Sequence, residues 1–291
     1  MSKGFCIHAY NNLEIDYGTM ALCCALLIKK NLNINSTALI TTDDTINEIQ
    51  KLHGSKILEK AFDFISIIEI DREVSTRNYR DTRYTSKIQP YYNLNRSDTF
   101  ELSPFDETIL LDADYLVLDK SFDLAWGSIE EIMVNKQVKD LNHNLNVSGF
   151  DLRFNDMSIP LYWATSVYFK KTEKCKAIFQ LMQFIKLNYP YYQKLFHFNS
   201  TGYFRNDYAL SIALHMISGQ FENDSIKPLP VDTILVATEN DDMINFKDNS
   251  GYFLSEHIEN KFALHQIYTN IHVMNKWSIG RNAQRIISYA S

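Results

Sequence analysis

A chain of 291 residues that is 45% hydrophobic and 13% aromatic can bury a large core, and is most economically one elaborated α/β domain spanning 1–291. Thirty-five acidic against 29 basic residues give a formal charge of -6, which argues against broad, nonspecific affinity for nucleic acid or anionic membrane. The longest apolar run, Met20 to Ile28, is less than half the ~20 residues a bilayer requires, and the start Met1-Ser-Lys-Gly-Phe-Cys-Ile-His lacks a signal peptide's apolar segment. A cytoplasmic protein without a membrane span is expected. Cys6, Cys23, Cys24 and Cys175 show no Cys-x-x-Cys spacing and read as plain core thiols.

Phe5 to Tyr10 reads as a compact apolar strand, Asn11 to Gly18 as a polar loop and Met20 to Ile28 as an apolar helix, together a βα unit. Ser36 to Thr42 gives a second strand. Asp43 or Asp44 then caps a helix that carries Ile46, Ile49 and Leu52 on one face and stops at Gly54. Phe64 to Ile70 is a third strand, and strands alternating with helices in this order predict a mostly parallel sheet with right-handed crossovers. Within 72–96, Arg77, Arg80, Arg83 and Lys87 recur at roughly helical spacing, which predicts one cationic helix face, either solvated or set against phosphates. Tyr79, Tyr84, Tyr91 and Tyr92 interleave with these bases and are candidates to stack on a base or a sugar, or to pack as ordinary aromatics.

Asp112-Ala113-Asp114 closes the aliphatic run Ile109 to Leu111, which does not alternate and so fits a strand covered on both faces. In open α/β sheets the carboxyl ends of the strands form the ligand crevice. Two Asp oxygens there suit Mg²⁺ or Mn²⁺, hard cations often shared with a substrate diphosphate. Alone, Asp-x-Asp more often marks a solvated turn, so the assignment depends on what surrounds it.

Ser128 to Glu131 has a capping-box pattern and predicts a short helix, and the polar stretch 142–156 reads as a lid or acceptor loop. Leu161 to Phe169 is a further strand, after which Thr172 caps a helix with the core stripe Cys175, Ile178, Phe179, Met182 and Ile185. Phe204-Arg205-Asn206-Asp207 precedes an apolar helix, Tyr208 to Ile217, so Asn206 or Asp207 is either its N-cap or a polar group aimed into a site. Val231 to Val236 and Phe262 to Ile267 are strands, and Ile271 to Trp277 sets His272 four residues before Lys276.

In this order, Asp112-Ala-Asp114 after an apolar strand, the strand Trp163 to Phe169, Asn206-Asp207 opening a helix, and His272 followed by Lys276-Trp277 resemble the GT-A class of nucleotide-sugar glycosyltransferases. The likeness is greatest to the family-8, glycogenin and galactosyltransferase-like branch. It covers most of the chain as an order of elements, carried by a few short motifs. The resemblance implies an α/β, Rossmann-like, mostly parallel sheet flanked by helices, with a nucleotide-sugar half at 1–120 and a smaller mixed acceptor portion within 121–291. It implies Mn²⁺ or Mg²⁺ held by Asp114 and Asp112 and completed by His272, with Lys276 on the donor diphosphate. The nucleobase and ribose of a donor, expected to be a UDP-sugar, would lie against His8, Ala9, Tyr10 and Asn11, with Arg77, Arg80, Arg83 or Lys87 also on the phosphates. Asp207 and Asn206 take the catalytic role near the transferred sugar. Transfer to a hydroxyl with anomeric retention is the implied reaction, the acceptor being a saccharide or else a hydroxymethylated base in DNA. Ala164-Thr165-Ser166 stands where the family has Asn-x-Gly.

Two other classes fit parts of the pattern. A nucleotidyltransferase also pairs a parallel sheet with carboxylates, but brings a glycine-rich basic loop after its first strand, and Asn11 to Gly18 is neither. A non-catalytic nucleotide-sugar-binding module would bind UDP without turnover.

Overall fold

The computed structural model describes residues 1–70, 75–145, 153–154, 159–196, 204–219, 226–231, 233–258 and 261–291. Strand β1 (Lys3–Ala9) is buried beyond Lys3, as its apolar run requires. Helix α1 (Tyr17–Asn31) begins at Asp16, whose side chain accepts from the Thr19 amide at 2.8 Å. Every residue of α1 from Gly18 to Ile28 is buried, which explains an apolar run with no polar face. β2 (Thr37–Thr41), α2 (Asp43–His53) and α3 (Ser55–Ala61) follow, with Gly54 between the helices at φ 84°, a conformation that favours glycine. In α2, Ile46 and Ile49 are buried but Leu52 is exposed, and Thr42 takes the N-cap place, with Asp43 and Asp44 in the first turn. β3 (Phe64–Ile67) is shorter than the expected Phe64 to Ile70 and leaves Phe64, Ile65 and Ile67 exposed.

The cationic helix expected around Arg77, Arg80, Arg83 and Lys87 is instead a hairpin of β4 (Thr76–Asp81) and β5 (Thr85–Pro90), with Arg77 opposite Gln89 and Tyr79 opposite Lys87. The arginine spacing suits a helix, but tertiary packing decides: Tyr79 is 1% exposed, hydrogen-bonded to Tyr17 at 3.0 Å and edge-on to Trp277. A strand's period of two therefore turns Arg77 and Arg80 to opposite faces. Arg83 pairs with Glu256 and Lys87 with Glu14, so these bases do not form one cationic stripe.

A 3-10 turn at Arg96–Asp98 leads into α4 (Thr99–Leu102), then β6 (Glu107–Asp112), a turn at Ala113-Asp114, and β7 (Tyr115–Leu116). The helix expected at Ser128 does not form. The Ser128 hydroxyl accepts from the Glu130 amide in a turn, and the apolar Ile132-Met133-Val134 enters strand β8 (Ile132–Asn135), buried between two neighbours. β9 (Gln137–Asp140) follows; within the polar segment 142–156, residues 146–152 and 155–156 lie outside those described.

β10 (Trp163–Lys170) leads to α5 (Glu173–Leu187), where Thr172 caps the Cys175 amide and the stripe Cys175, Ile178, Phe179, Met182 and Ile185 is buried. After α6 (Tyr189–Leu195), α7 (Asn206–Ser218) ends at Gly219 in the left-handed conformation. Its N-cap is Arg205, with no side-chain cap bond, so neither Asn206 nor Asp207 takes the expected capping place. The remaining elements are β11 (Lys227–Pro228), β12 (Thr233–Ala237), β13 (Asp242–Lys247), β14 (Ser250–Ile258), β15 (Lys261–Ile267), β16 (Ile271–Val273) and α8 (Lys276–Ala290).

The architecture is α/β, with a mostly parallel sheet flanked by helices. Seven strands run in the order β11-β8-β10-β6-β1-β2-β3, and β10 alone is antiparallel to both neighbours. One apolar cluster joins α1 and α8 beneath the sheet, and a second joins α5 and α7 to it from the other side. The chain's later part adds a smaller mixed sheet, β7-β16-β12-β9, and the antiparallel β13-β14-β15. Because β6 and β1 are parallel, His8 registers with Asp112 at their common carboxyl end. The antiparallel β10 brings its amino end, Trp163 to Thr165, to that same edge.

Candidate active site

A cavity of about 270 Å³ opens at this edge. Asp112 is the last residue of β6 and Asp114 lies in the turn that follows, so the strand delivers both carboxylates to its floor. β7 pairs with β16 and sets Tyr115 opposite His272, which carries the imidazole back across 158 residues to the acidic pair. His272 Nε2 lies 3.1 Å from Asp114 Oδ2 and 3.7 Å from Asp112 Oδ2. Lys276, the first residue of α8, places its ammonium on Asp114 Oδ2. The helix start is fixed by Asn275, whose side chain accepts from the Ser278 amide at 3.1 Å and donates to Asp81 and to the Asp241 carbonyl.

Arg96 is the fourth charged group here, 4% exposed and ion-paired to Asp112, with a second N–H donated to the Ala164 carbonyl. The two carboxylates titrate apart. Burial raises the Asp112 carboxyl, Arg96 opposes the rise, and the Asp114 charge adds to it. Burial would raise Asp114 as well, but Lys276 and His272 overcome this and hold it well below the usual carboxylate range. Asp114 is therefore ionised throughout the physiological range.

Asp112, Asp114 and His272 each offer a ligand atom, and these atoms lie within 4.8 Å of one another. Two carboxylates and an imidazole fit a divalent ion, and the imidazole favours Mn²⁺ over Mg²⁺. The buried Nδ1 of His272 has no hydrogen-bond partner among the described residues, so the ring is oriented by its Nε2 contacts and by stacking on Tyr115.

The cavity is also lined by His8, Tyr10, Arg77, Tyr91, Tyr92, Asn206 and Asp207. His8 is fully engaged: its ring nitrogens meet the Tyr10 hydroxyl at 2.7 Å and the Thr99 hydroxyl at 2.8 Å. Burial, and then the Arg96 charge, pushes its imidazole down to about 3, so it is neutral. Asp207 is clamped by Arg205, one contact being 3.1 Å, while Asn206 donates to the Asn93 carbonyl and keeps a buried Oδ1 with no partner among the described residues. Among the lining side chains, four cations (Arg77, Arg96, Arg205 and Lys276) face three carboxylates (Asp112, Asp114 and Asp207), and Arg77 lies 3.5 Å from Glu239 outside the lining.

Not all the residues singled out by sequence come to the cavity. Ala9, Asn11, Arg80, Arg83 and Lys87 do not line it. Asn11 instead organises the β1–α1 loop, accepting from the Gly18 amide at 2.7 Å and donating to Asp16 at 3.1 Å. Tyr84 stands exposed at the hairpin tip beneath the Arg83 guanidinium. Conversely, Tyr17, Asn93, Arg96, Trp163, Thr165, Arg205 and Met274 line the cavity without having been assigned to it. Arg96 closes the basic segment and Trp163 and Arg205 sit inside quoted motifs, but only the fold brings them to the cavity.

No family model and no curated protein matches the sequence. Among solved structures, the chain is similar to the glycosyltransferase GlyE of Streptococcus pneumoniae TIGR4, at 12% identity and a TM-score of 0.42 over 79% of this chain. The match spans 45% of GlyE's length. It is also similar to the galactosyltransferase LgtC in complex with donor and acceptor sugar analogs, at 10% identity and a TM-score of 0.48, over 98% of this chain and 95% of that one. An active-site mutant of LgtC gives 10% identity and 0.44 over 79% and 84%. At such identities and scores the functional reading rests on the site itself.

Proposed function

We propose that this protein is a metal-dependent glycosyltransferase of the GT-A class, nearest the family-8 branch, moving a sugar from a nucleotide-sugar, a UDP-sugar first, to a saccharide hydroxyl with anomeric retention. The observation that carries the reading is the convergence of Asp112, Asp114, His272 and Lys276 in one cavity at the carboxyl end of parallel strands, from three separate elements.

Asp114, Asp112 and His272 would hold Mn²⁺ or Mg²⁺. A divalent ion supplies positive charge against the diphosphate as the bond from the sugar's anomeric carbon breaks. Lys276 and Arg77 bind and orient that diphosphate, and their charges oppose the negative charge that develops on the departing oxygen. Arg96, ion-paired to Asp112, would keep that carboxylate in place as a ligand. Asp207, kept rigid by Arg205, and Asn206, with its open carboxamide oxygen, accept hydroxyl hydrogens of the transferred sugar and set its anomeric carbon toward the acceptor. His8 acts as a wall behind this set, and Tyr10 as part of the nucleoside side. The saccharide is favoured over a DNA acceptor because Arg83 and Lys87 each face a glutamate instead of extending a basic track away from the cavity. All four cysteines are buried free thiols, which suits the cytoplasm, and among the described residues no helix is long and apolar enough to cross a membrane.

A panel of nucleotide-sugars with Mn²⁺, read by thermal shift and by release of free nucleotide, tests the reading. Stabilisation and turnover by at least one UDP-sugar, abolished by chelation, are expected. A panel that gives neither would overturn it, and binding without turnover would reduce the protein to a nucleotide-sugar-binding module.

A further inference from the structure

Asp114 Oδ2 is a contested atom. It faces His272 Nε2 and, through that ring, Asp112, so it is the oxygen a divalent ion shared by the three side chains would take. The same oxygen receives the Lys276 ammonium. Lys276 is 7% exposed, and Asp114 is its one hydrogen-bonding and ion-pairing partner among the described residues. Arg96 is likewise ion-paired to Asp112, and also donates to the Ala164 carbonyl. The two carboxylates are thus already matched by two buried protein cations, with no net negative charge left over to draw in an ion.

A divalent ion that coordinates Oδ2 brings two positive charges against an ammonium in a site of low dielectric, where repulsion is poorly screened. Lys276 must then leave, and a buried ammonium without a partner is strongly unfavourable. Its backbone is fixed at the start of α8 by the Asn275 cap, so only its side chain can swing, and it swings within the cavity. The cavity's other two carboxylates already have cations of their own, Asp112 paired with Arg96 and Asp207 with Arg205, so neither is free to take Lys276 in place of Asp114. An anionic ligand supplies what the protein does not.

We propose that Lys276 is the internal counter-ion of Asp114, that a divalent cation must displace it, and that a diphosphate in the same cavity gives the displaced ammonium its new partner. Cation and diphosphate then bind synergistically, the cation alone being held weakly. The identity of the ligand as a nucleoside diphosphate rests on the function proposed above; the competition at Asp114 does not.

The test is Mn²⁺ binding to the full chain, followed by the electron paramagnetic resonance signal of free Mn²⁺, for the natural protein, Lys276→Gln and Lys276→Arg. Each is measured alone, with UDP and with inorganic pyrophosphate, and melting curves confirm that the variants fold. Lys276→Gln should bind Mn²⁺ alone about tenfold or more tightly than the natural protein, while Lys276→Arg, which keeps the charge, should not. UDP and pyrophosphate should each tighten Mn²⁺ by about tenfold or more in the natural protein and by clearly less in Lys276→Gln. If Lys276→Gln does not fold, Lys276→Met, which keeps the aliphatic stem, carries the same expectations. Affinity for Mn²⁺ alone that does not rise when the ammonium is removed overturns the proposal. Pyrophosphate acting where UDP does not would uphold the exchange and overturn the nucleotide reading, and failure of both anions to tighten Mn²⁺ in the natural protein would overturn the exchange.

Discussion

Replacing Arg96 with leucine should destabilise the protein in a pH-dependent way. The arginine makes two kinds of contact, an ion pair with Asp112 and a hydrogen bond to the Ala164 carbonyl, and is 4% exposed. Losing the second costs about 1 kcal/mol, at any pH. Losing the first leaves Asp112 charged and unpaired, for which buried pairs cost about 3–5 kcal/mol; its side chain retains 21% exposure, which places the loss at the low end, about 3 kcal/mol. Together these give about 4 kcal/mol at pH 7.5. The Asp112 carboxyl already lies above its ordinary value, and removing Arg96 raises it further. A carboxyl with a folded-state pKa above its unfolded value costs stability while it is ionised, and that cost disappears as pH falls through the folded-state value. The deficit of Arg96→Leu should therefore shrink as the pH is lowered, with the about 1 kcal/mol of the lost hydrogen bond as its floor. Urea unfolding with chelator present, at pH 7.5 and pH 5, measures the deficit at each. An equal deficit at the two pH values, or one below about 1 kcal/mol at pH 7.5, would refute the pairing of Arg96 with an ionised Asp112.

Other expectations follow from single contacts. His8, held down to about 3 by burial and Arg96, stays neutral in the folded protein while an unfolded imidazole protonates near 6.5; its contribution to stability is complete above that pH and drains toward 3. Between pH 6 and 4 the natural protein should lose up to about 1.4 kcal/mol more per pH unit than His8→Gln, and parallel urea-stability profiles would contradict this. A Cβ at Gly4 would press into the Phe105 ring, well inside van der Waals contact, so Gly4→Ala should cost about 1–3 kcal/mol in chemical denaturation, whereas a neutral result would mean the ring yields freely. Asp207→Asn should lower kcat about 100-fold while leaving UDP affinity unchanged, because it removes sugar positioning and no phosphate contact; a loss of UDP binding instead would move Asp207 to the nucleotide side.

The acidic pair was legible because strand β6 is built from a continuous aliphatic run, and the register of β6 with β1 makes its carboxyl end a crevice. The same holds for the stripe on α5, where spacing and burial agree residue by residue. His272 and Lys276 were legible as a pair, but their meeting with Asp114 depends on β7 pairing with β16, a two-residue strand that no sequence pattern announces. Arg77, Arg80, Arg83 and Lys87 misled for the opposite reason: their spacing fits a helix, while the burial of Tyr79 against Tyr17 and Trp277 imposes a strand. Arg96 was hidden because its partner is supplied by β6 and its carbonyl acceptor by β10, the one antiparallel strand among parallel neighbours in the large sheet. Asn11 looked like a ligand residue and is a loop brace, since an amide that satisfies Gly18 and Asp16 reads the same in sequence as one that meets a nucleobase.

The central claim is that Asp114 anchors a divalent ion through which a nucleoside diphosphate binds. Isothermal titration of UDP into the natural protein and into Asp114→Asn, each with Mn²⁺ and with chelator, tests it directly. The account predicts that chelation weakens UDP binding to the natural protein by about tenfold or more, and that Asp114→Asn binds weakly in both conditions. UDP binding that is equally tight with Mn²⁺ and with chelator, or Mn²⁺-dependent binding that survives in Asp114→Asn, would contradict it.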